Sequence, residues 1–250
     1  MLLMVSVHPS RTADIITPGA ITFSQGTTVN TYLDGFGNLC SRIIAPPGLL
    51  TLSTDFIVAD TGQLDEADPG AVQHSIATLP LDVMVFLLGS RYCETDLLMD
   101  TAWSLFGHIP QGWPLVEAIC TFVHNHIRFD YQQARSTRTA WEAYQERVGV
   151  CRDYTHLAIA FCRCLNIPAR YCTGYLGDIG VPPFDAPGDF SAWLDVYLGG
   201  KWYTFDPRHN ARRIGRILMA RGRDATDVAI STAFGPAPLA TFFVFTDEVA

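Results

Sequence analysis

Two short stretches hold the residue types that covalent catalysis needs. In Gly149-Val150-Cys151-Arg152-Asp153 a cysteine follows a glycine, which supplies a flexible approach, at the point where a helical pattern begins. A cysteine at a helix N-terminus faces backbone N–H groups without intrahelical partners and the positive end of the macrodipole. Both favour the thiolate, the nucleophilic form. A small buried core cysteine is the ordinary alternative; the place on the helix and what lies downstream favour the reactive one. A thiol nucleophile also needs a base to take its proton and a third group to orient that base. In Asp206-Pro207-Arg208-His209-Asn210 the aspartate ends a strand and is the candidate for the third role, although an Asp-Pro pair alone is a common strand terminator.

The elements that must position these residues can be read around them. Tyr154, Leu157, Ala158, Phe161 and Leu165 form an amphipathic helical stripe starting at Cys151, and Asn166 and Pro168 stop it. Ala169 to Tyr175 reads as a strand, followed by the Gly-, Pro- and Asp-rich loop GDIGVPPFDAPGDF. Phe190 to Leu198, the Gly199-Gly200 turn and Trp202 to Phe205 read as a hairpin that delivers Asp206. Upstream, helices are expected over Leu97–Phe106, Pro114–His126 and Thr139–Glu146. Residues 1 to about 60 read as short strands broken by turn chemistry such as Asp34-Gly35-Phe36-Gly37-Asn38, with His8 and Asp14 as surface or turn residues. The loop from Thr61 to Gly70 marks a change in texture, and the tail offers two β segments, Asp227–Ser231 and Ala240–Thr246.

Composition removes several classes of function. With 48% hydrophobic and 17% charged residues over 250 positions, the chain is of ordinary globular type. A net charge of −8 without a basic cluster makes nucleic acid an unsuitable partner. The opening run MLLMVSV is too short to span a membrane and lacks the flanks of a signal peptide. Seven cysteines without small-domain disulfide spacing point to a reducing compartment, hence the cytoplasm. Cys162 and Cys164 are two apart on a helix and face apart, and no Cys-x-x-Cys pair occurs, so no metal site is expected.

The stretches GVCRDYTHLAIAFCRCLNIPARYCTGY and DFSAWLDVYLGGKWYTFDPRHN, in this order, resemble the bacterial transglutaminase-like proteins, cysteine-protease relatives in the papain-like superfamily. LPLDVMVFLLGSRYCETDLLMDTAWSLFG looks like the lead-in of that family, and VHPSR with DGFGN like its N-terminal β domain. The resemblance covers nearly the whole chain. It implies an α+β fold: a papain-like, transglutaminase-like core at 66–250, with a Cys-bearing helix on an antiparallel sheet, preceded by a small β domain at 1–65. The chain starts at what resembles the second strand of that β domain. The resemblance further implies that Cys151 is the nucleophile and Asp206 the acid of a Cys-His-Asp triad. Animal transglutaminases are similar in the core and use calcium, but no acidic loop of the EF-hand type is present, and no cofactor is expected.

One departure decides how the site is read. The family histidine stands two residues before the strand tryptophan, and here that triplet is Ser191-Ala192-Trp193. A serine hydroxyl cannot take a proton near neutral pH as an imidazole does. His156 lies five residues into the Cys helix and points about 140° away from Cys151. His209, three residues past Asp206, is the better substitute, with a surface loop histidine as its plain alternative; His108, His124 and His126 cannot be placed. Two readings therefore stay open. One is cysteine-dependent acyl transfer on a peptide or amide bond, hydrolysis foremost, with the Cys151 N–H in the oxyanion hole. The other is a catalytically impaired peptide-binding protein, with the loop aromatics Phe184 and Phe190 holding the peptide.

Overall fold

Residues 1–182 and 188–249 are described by the computed structural model of the chain. Two four-stranded sheets are present, and the first carries strands from both ends of the sequence. The first takes β1 (Leu2–Leu3), β2 (Val29–Leu33), β3 (Leu39–Ile43) and, from the far end, β8 (Ser231–Thr232), in the order β8-β1-β3-β2. The second is the core sheet: β4 (Ala169–Leu176), β5 (Ser191–Leu198), β6 (Lys201–Phe205) and β7 (Arg216–Gly222), all antiparallel, in the order β6-β5-β4-β7. Gly199 and Gly200, both at positive φ, make the tight β5–β6 turn that side chains would strain.

Four α-helices accompany the core sheet: α1 (Thr95–Phe106), α2 (Trp113–His126), α3 (Ala140–Glu146) and α4 (Cys151–Cys164). Thr139 starts α3 through a capping box, its hydroxyl accepting from the Glu142 N–H while the Glu142 carboxylate accepts from the Thr139 N–H. Left-handed Asn166 (φ 62°), ahead of Pro168, closes α4 as its sequence predicts. The single apolar stripe expected of α4 understates its burial. From Asp153 to Cys164 every residue is buried, because α1, α2 and α3 pack round it on one side and β4 and β5 on the other. Some of its polar side chains find partners there. Arg163 donates to the carbonyls of Leu88, Ala169 and Arg223, and His156 Nε2 accepts from the Ala225 N–H at 3.1 Å.

Strand alternation assigns the two faces of β5. Ala192, Leu194, Val196 and Leu198 join the main core beneath α4, whereas Ser191, Trp193, Asp195 and Tyr197 belong to the opposite face. Strand β7 escaped the sequence reading because arginines at its ends and a glycine break the apolar pattern. It pairs with β4 across a bulge at Thr173–Gly174, where a Cβ on Gly174 would stand 2.1 Å from the Ile217 carbonyl oxygen. The tail segments also differ from expectation. Only Ser231–Thr232 joins a ladder in this region; of residues 240–246 Val244 is buried and Phe243 and Phe245 are exposed, and they join no ladder among the described residues. His8 is buried rather than on the surface, its Nδ1 accepting from the Ser10 N–H at the head of a short 3-10 turn. No helix is long and apolar enough to cross a membrane among the described residues.

Candidate active site

The position of Cys151 is set by the residues before it. Arg128–Phe129 and Val148–Gly149 form a short parallel pair that ends at the helix start. Asp153, in the first turn of α4, folds back and accepts from the Val150 N–H at 2.9 Å and from Arg138 Nη1 at 3.0 Å. Both ion-pair partners are buried, and Arg138 is held further by the Glu146 carboxylate and the Gln133 carbonyl. Gly149 is needed because a Cβ there would come within 2.7 Å of the Asp153 carboxylate. Close approach, rather than the flexibility expected from sequence, is the role of this glycine.

Cys151 is half-buried and opens on a cleft of about 580 Å³ that is also lined by Tyr131, Asp189, Ser191, Arg208 and His209. The extended segment 244–248 forms part of its wall. The Ala192 amide faces the Cys151 sulfur as a hydrogen-bond donor. Burial pushes the thiol up to about 11; the Arg208 charge and the Ala192 amide pull the other way, and the Asp189 charge adds to the rise. The thiolate preference expected from the helix N-terminus is thus outweighed by desolvation, and Cys151 rests as a thiol. It becomes a nucleophile only as its proton leaves.

Asp206 lies just past β6 with its carboxylate fully engaged. Oδ1 accepts from the N–H groups of Arg208 and His209 at 3.1 and 3.0 Å. Oδ2 accepts from His209 Nδ1 at 2.8 Å and from Arg216 Nη2 at 2.9 Å. Burial alone would raise its pKa, but the His209 hydrogen bond and the Arg216 charge outweigh it and hold the carboxyl well below the usual range. A carboxylate can only accept, so His209 carries its proton on Nδ1. A guanidinium can only donate, and Arg208 Nη1 lies 2.8 Å from Nε2, so Nε2 presents its lone pair. This is the tautomer a general base requires, aspartate-bound on one nitrogen and with a lone pair on the other, which Arg208 occupies at rest. Arg208 packs its guanidinium 4.2 Å from the Phe129 ring centroid, and its carbonyl accepts from His124 Nδ1 at 2.9 Å.

The structure thus brings Cys151, His209 and Ser191 to one cleft, with Asp206 behind His209. Trp193, expected at the cleft with Ser191, lies elsewhere. Two residues farther along β5, it lines a cavity of about 250 Å³ on the face of the sheet away from α4, with Arg216 5.1 Å over its ring. Ser191 keeps the family histidine's place in sequence; its Oγ is buried and unbonded among the described residues. His156 is removed from the site, stacked on Tyr92 and tilted against Tyr171. Among the other histidines, His126 bonds the Tyr144 carbonyl and His108 is exposed. Phe190 lines the cleft and packs edge-on against Tyr175; Phe184 lies outside the described residues. Sequence reasoning missed Arg208, Arg216 and His124. Arg208 could have been noticed beside His209, whereas nothing in the sequence links Arg216 to Asp206 or His124 to the Arg208 carbonyl. Among the described residues no group of three or more His, Cys, Asp or Glu side chains is arranged to hold a metal ion.

Residues 110–207, which include Cys151 and Asp206, match the model of the transglutaminase-like superfamily. An uncharacterized protein of Mycobacterium leprae is 36% identical over 95 residues, 35% of this chain and 32% of that relative, so the match spans about a third of either protein. An uncharacterized protein of Mycobacterium tuberculosis is 28% identical over 225 residues, 80% of this chain and 69% of that one. The crystal structure of "a Putative Cysteine Protease" from Cytophaga hutchinsonii superposes with a TM-score of 0.77 at 29% identity, covering 97% of this chain and 86% of that one.

Proposed function

The chain is a transglutaminase-like protein of the papain-like superfamily, a cysteine-dependent acyl-transfer group, and on that premise we propose that it hydrolyses amide bonds of a peptide or protein substrate through a Cys151 thioester. The observation that carries this reading is the shared cleft of Cys151 and an Asp206-bound His209 whose Nε2 is in the accepting tautomer, hydrogen-bonded by Arg208. His209 Nε2 takes the Cys151 proton as sulfur attacks the carbonyl carbon, and Arg208 gives up its hydrogen bond to Nε2 as it does so. Collapse of the tetrahedral species breaks the C–N bond; the amine leaves with the proton from His209, and the acyl group stays on sulfur. A water molecule, deprotonated by the same imidazole, then attacks the thioester, and the thiol is restored as the acid departs. The Cys151 N–H, in the first turn of α4, is the donor for the carbonyl oxygen.

The name of the Cytophaga hutchinsonii neighbour agrees with hydrolysis rather than cross-linking. Seven free cysteines agree with a reducing compartment, and we assign the protein to the cytoplasm as part of the same proposal. A second reading, peptide binding without turnover, draws on Ser191 and on the occupation of Nε2 by Arg208. Incubation with a complex peptide mixture, followed by mass spectrometry, separates the two. Hydrolysis gives new peptide termini, or a gain of about 1 Da at side-chain amides, that disappear in Cys151→Ala. Unchanged peptides with wild-type protein, or products that persist in Cys151→Ala, would remove the proposal.

A further inference from the structure

On the face of the core sheet away from α4 lies a chain of ion pairs that the proposed reaction has not used. Arg216 opens β7 and is buried, with 8% of its surface exposed. Its Nη2 donates to Asp206 Oδ2 at 2.9 Å, on the very oxygen that accepts from His209 Nδ1. Its Nε donates to both Asp65 oxygens, at 3.0 and 2.9 Å. Asp65 is itself pinned: its Oδ2 accepts from the Arg213 N–H, and its own N–H donates to the Arg213 carbonyl. The Trp193 ring lies 5.1 Å from the guanidinium carbon. The loop from Thr61 to Gly70, a mere change of texture in sequence, thereby reaches the carboxylate that orients His209.

Resting on the acyl-transfer reading above, we propose that Arg216, clamped by Asp65, is a positioning residue for that reaction: it fixes the Asp206 carboxylate toward His209 and limits how strongly that carboxylate retains a proton on the imidazole. A planar fork suits the task, because one guanidinium serves two carboxylates in fixed directions and stays charged when buried. Its charge opposes protonation of His209 through the shared oxygen, whereas the Asp65 charge, on the far side of Arg216, partly cancels that opposition. Since the base must be unprotonated to accept from Cys151, the pair, with Arg208 at Nε2 and Asp206 at Nδ1, sets the pH at which catalysis begins.

The test is the pH dependence of kcat/KM for p-nitrophenyl acetate hydrolysis in wild type, Arg216→Gln, Arg216→Lys and Asp65→Asn, with thermal unfolding of each. Arg216→Gln removes the opposing charge, so the acid limb moves up by about one pH unit, a tenfold loss on that limb. Arg216→Lys keeps the charge without the fork and falls between wild type and Gln, and it supplies the answer if the Gln variant does not fold. Asp65→Asn leaves the Arg216 charge uncompensated and moves the limb down. Opposite directions are the signature, since loss of scaffold alone would lower stability in every variant without dividing them in this way. Coincident acid limbs, or limbs shifted in one common direction, overturn the role of Arg216. Cys151→Ala and His209→Gln run alongside. If both lose activity while the limbs coincide, Arg216 alone is removed; if both keep it, the acyl-transfer reading falls and the role of Arg216 with it.

Discussion

The protonation state of Cys151 can be read out by alkylation, and the structure sets the expected rate. The other six cysteines are buried, so iodoacetamide reports on Cys151 in the folded protein, with Cys151→Ala as the blank. With the thiol at about 11, roughly one molecule in 3,000 is thiolate at pH 7.5, against roughly one in ten for a thiol of ordinary pKa about 8.5. The more basic thiolate is intrinsically more reactive, by about 10- to 20-fold over such an interval, which leaves alkylation about 20-fold slower than for a free thiol. The rate should climb with pH past 9 rather than level off. The perturbation is Arg208→Ala. The guanidinium charge draws the thiol downward, so its removal slows alkylation further at every pH below the plateau. Rapid alkylation with an apparent pKa below 7 would refute the reasoning. Desolvation would then not dominate, and Cys151 would rest as a thiolate paired with imidazolium.

Other predictions concern the scaffold of the site. Arg138→Met strands the buried Asp153 carboxylate and should cost about 3–5 kcal/mol; in urea the midpoint falls with the slope unchanged, and a loss below about 1 kcal/mol would contradict the burial argument. Gly149→Ala drives a methyl into the Asp153 carboxylate, so stability should fall by about 1–3 kcal/mol and Cys151 alkylation should change with it; wild-type values for both would show that Asp153 yields freely. Stability should also fall in mild acid. Burial and the charges of Arg221 and Arg170 lower His8 to about 4, and burial likewise holds His156 well below 6.5. The unfolded chain binds protons that these histidines refuse in the fold. The associated stability is intact above about pH 6.5 and is lost below it, at up to about 1.4 kcal/mol per pH unit for each histidine. A flat urea midpoint from pH 7 to 5 would contradict this.

Much of the frame was legible because the residues announcing it act locally. Pro168 and Asn166 end α4, the Thr139–Glu142 box starts α3, and Gly199-Gly200 fixes the hairpin that delivers Asp206. The cysteine at a helix start and the aspartate past a strand could be singled out on the same grounds. What was hidden depends on partners distant in sequence. Arg216 carries no local signal, and only β7 sets it between Asp65 and Asp206. Trp193 and Ser191 share a triplet, yet the cleft takes one and the cavity behind the sheet takes the other. The thiol of Cys151 shows the same division. Its place at a helix N-terminus is a sequence property, whereas the burial that outweighs it belongs to the packed molecule.

The acyl-transfer account turns on Cys151 acting with His209, and single-turnover acylation tests that pair most directly. Wild type, Cys151→Ala and His209→Gln are each mixed with p-nitrophenyl acetate at neutral pH and followed by intact-protein mass spectrometry. The account predicts an acetyl adduct on Cys151 in wild type, none in Cys151→Ala, and formation about 10²- to 10⁴-fold slower in His209→Gln, the usual contribution of a general base. Acetylation of Cys151 at the wild-type rate in His209→Gln would contradict it.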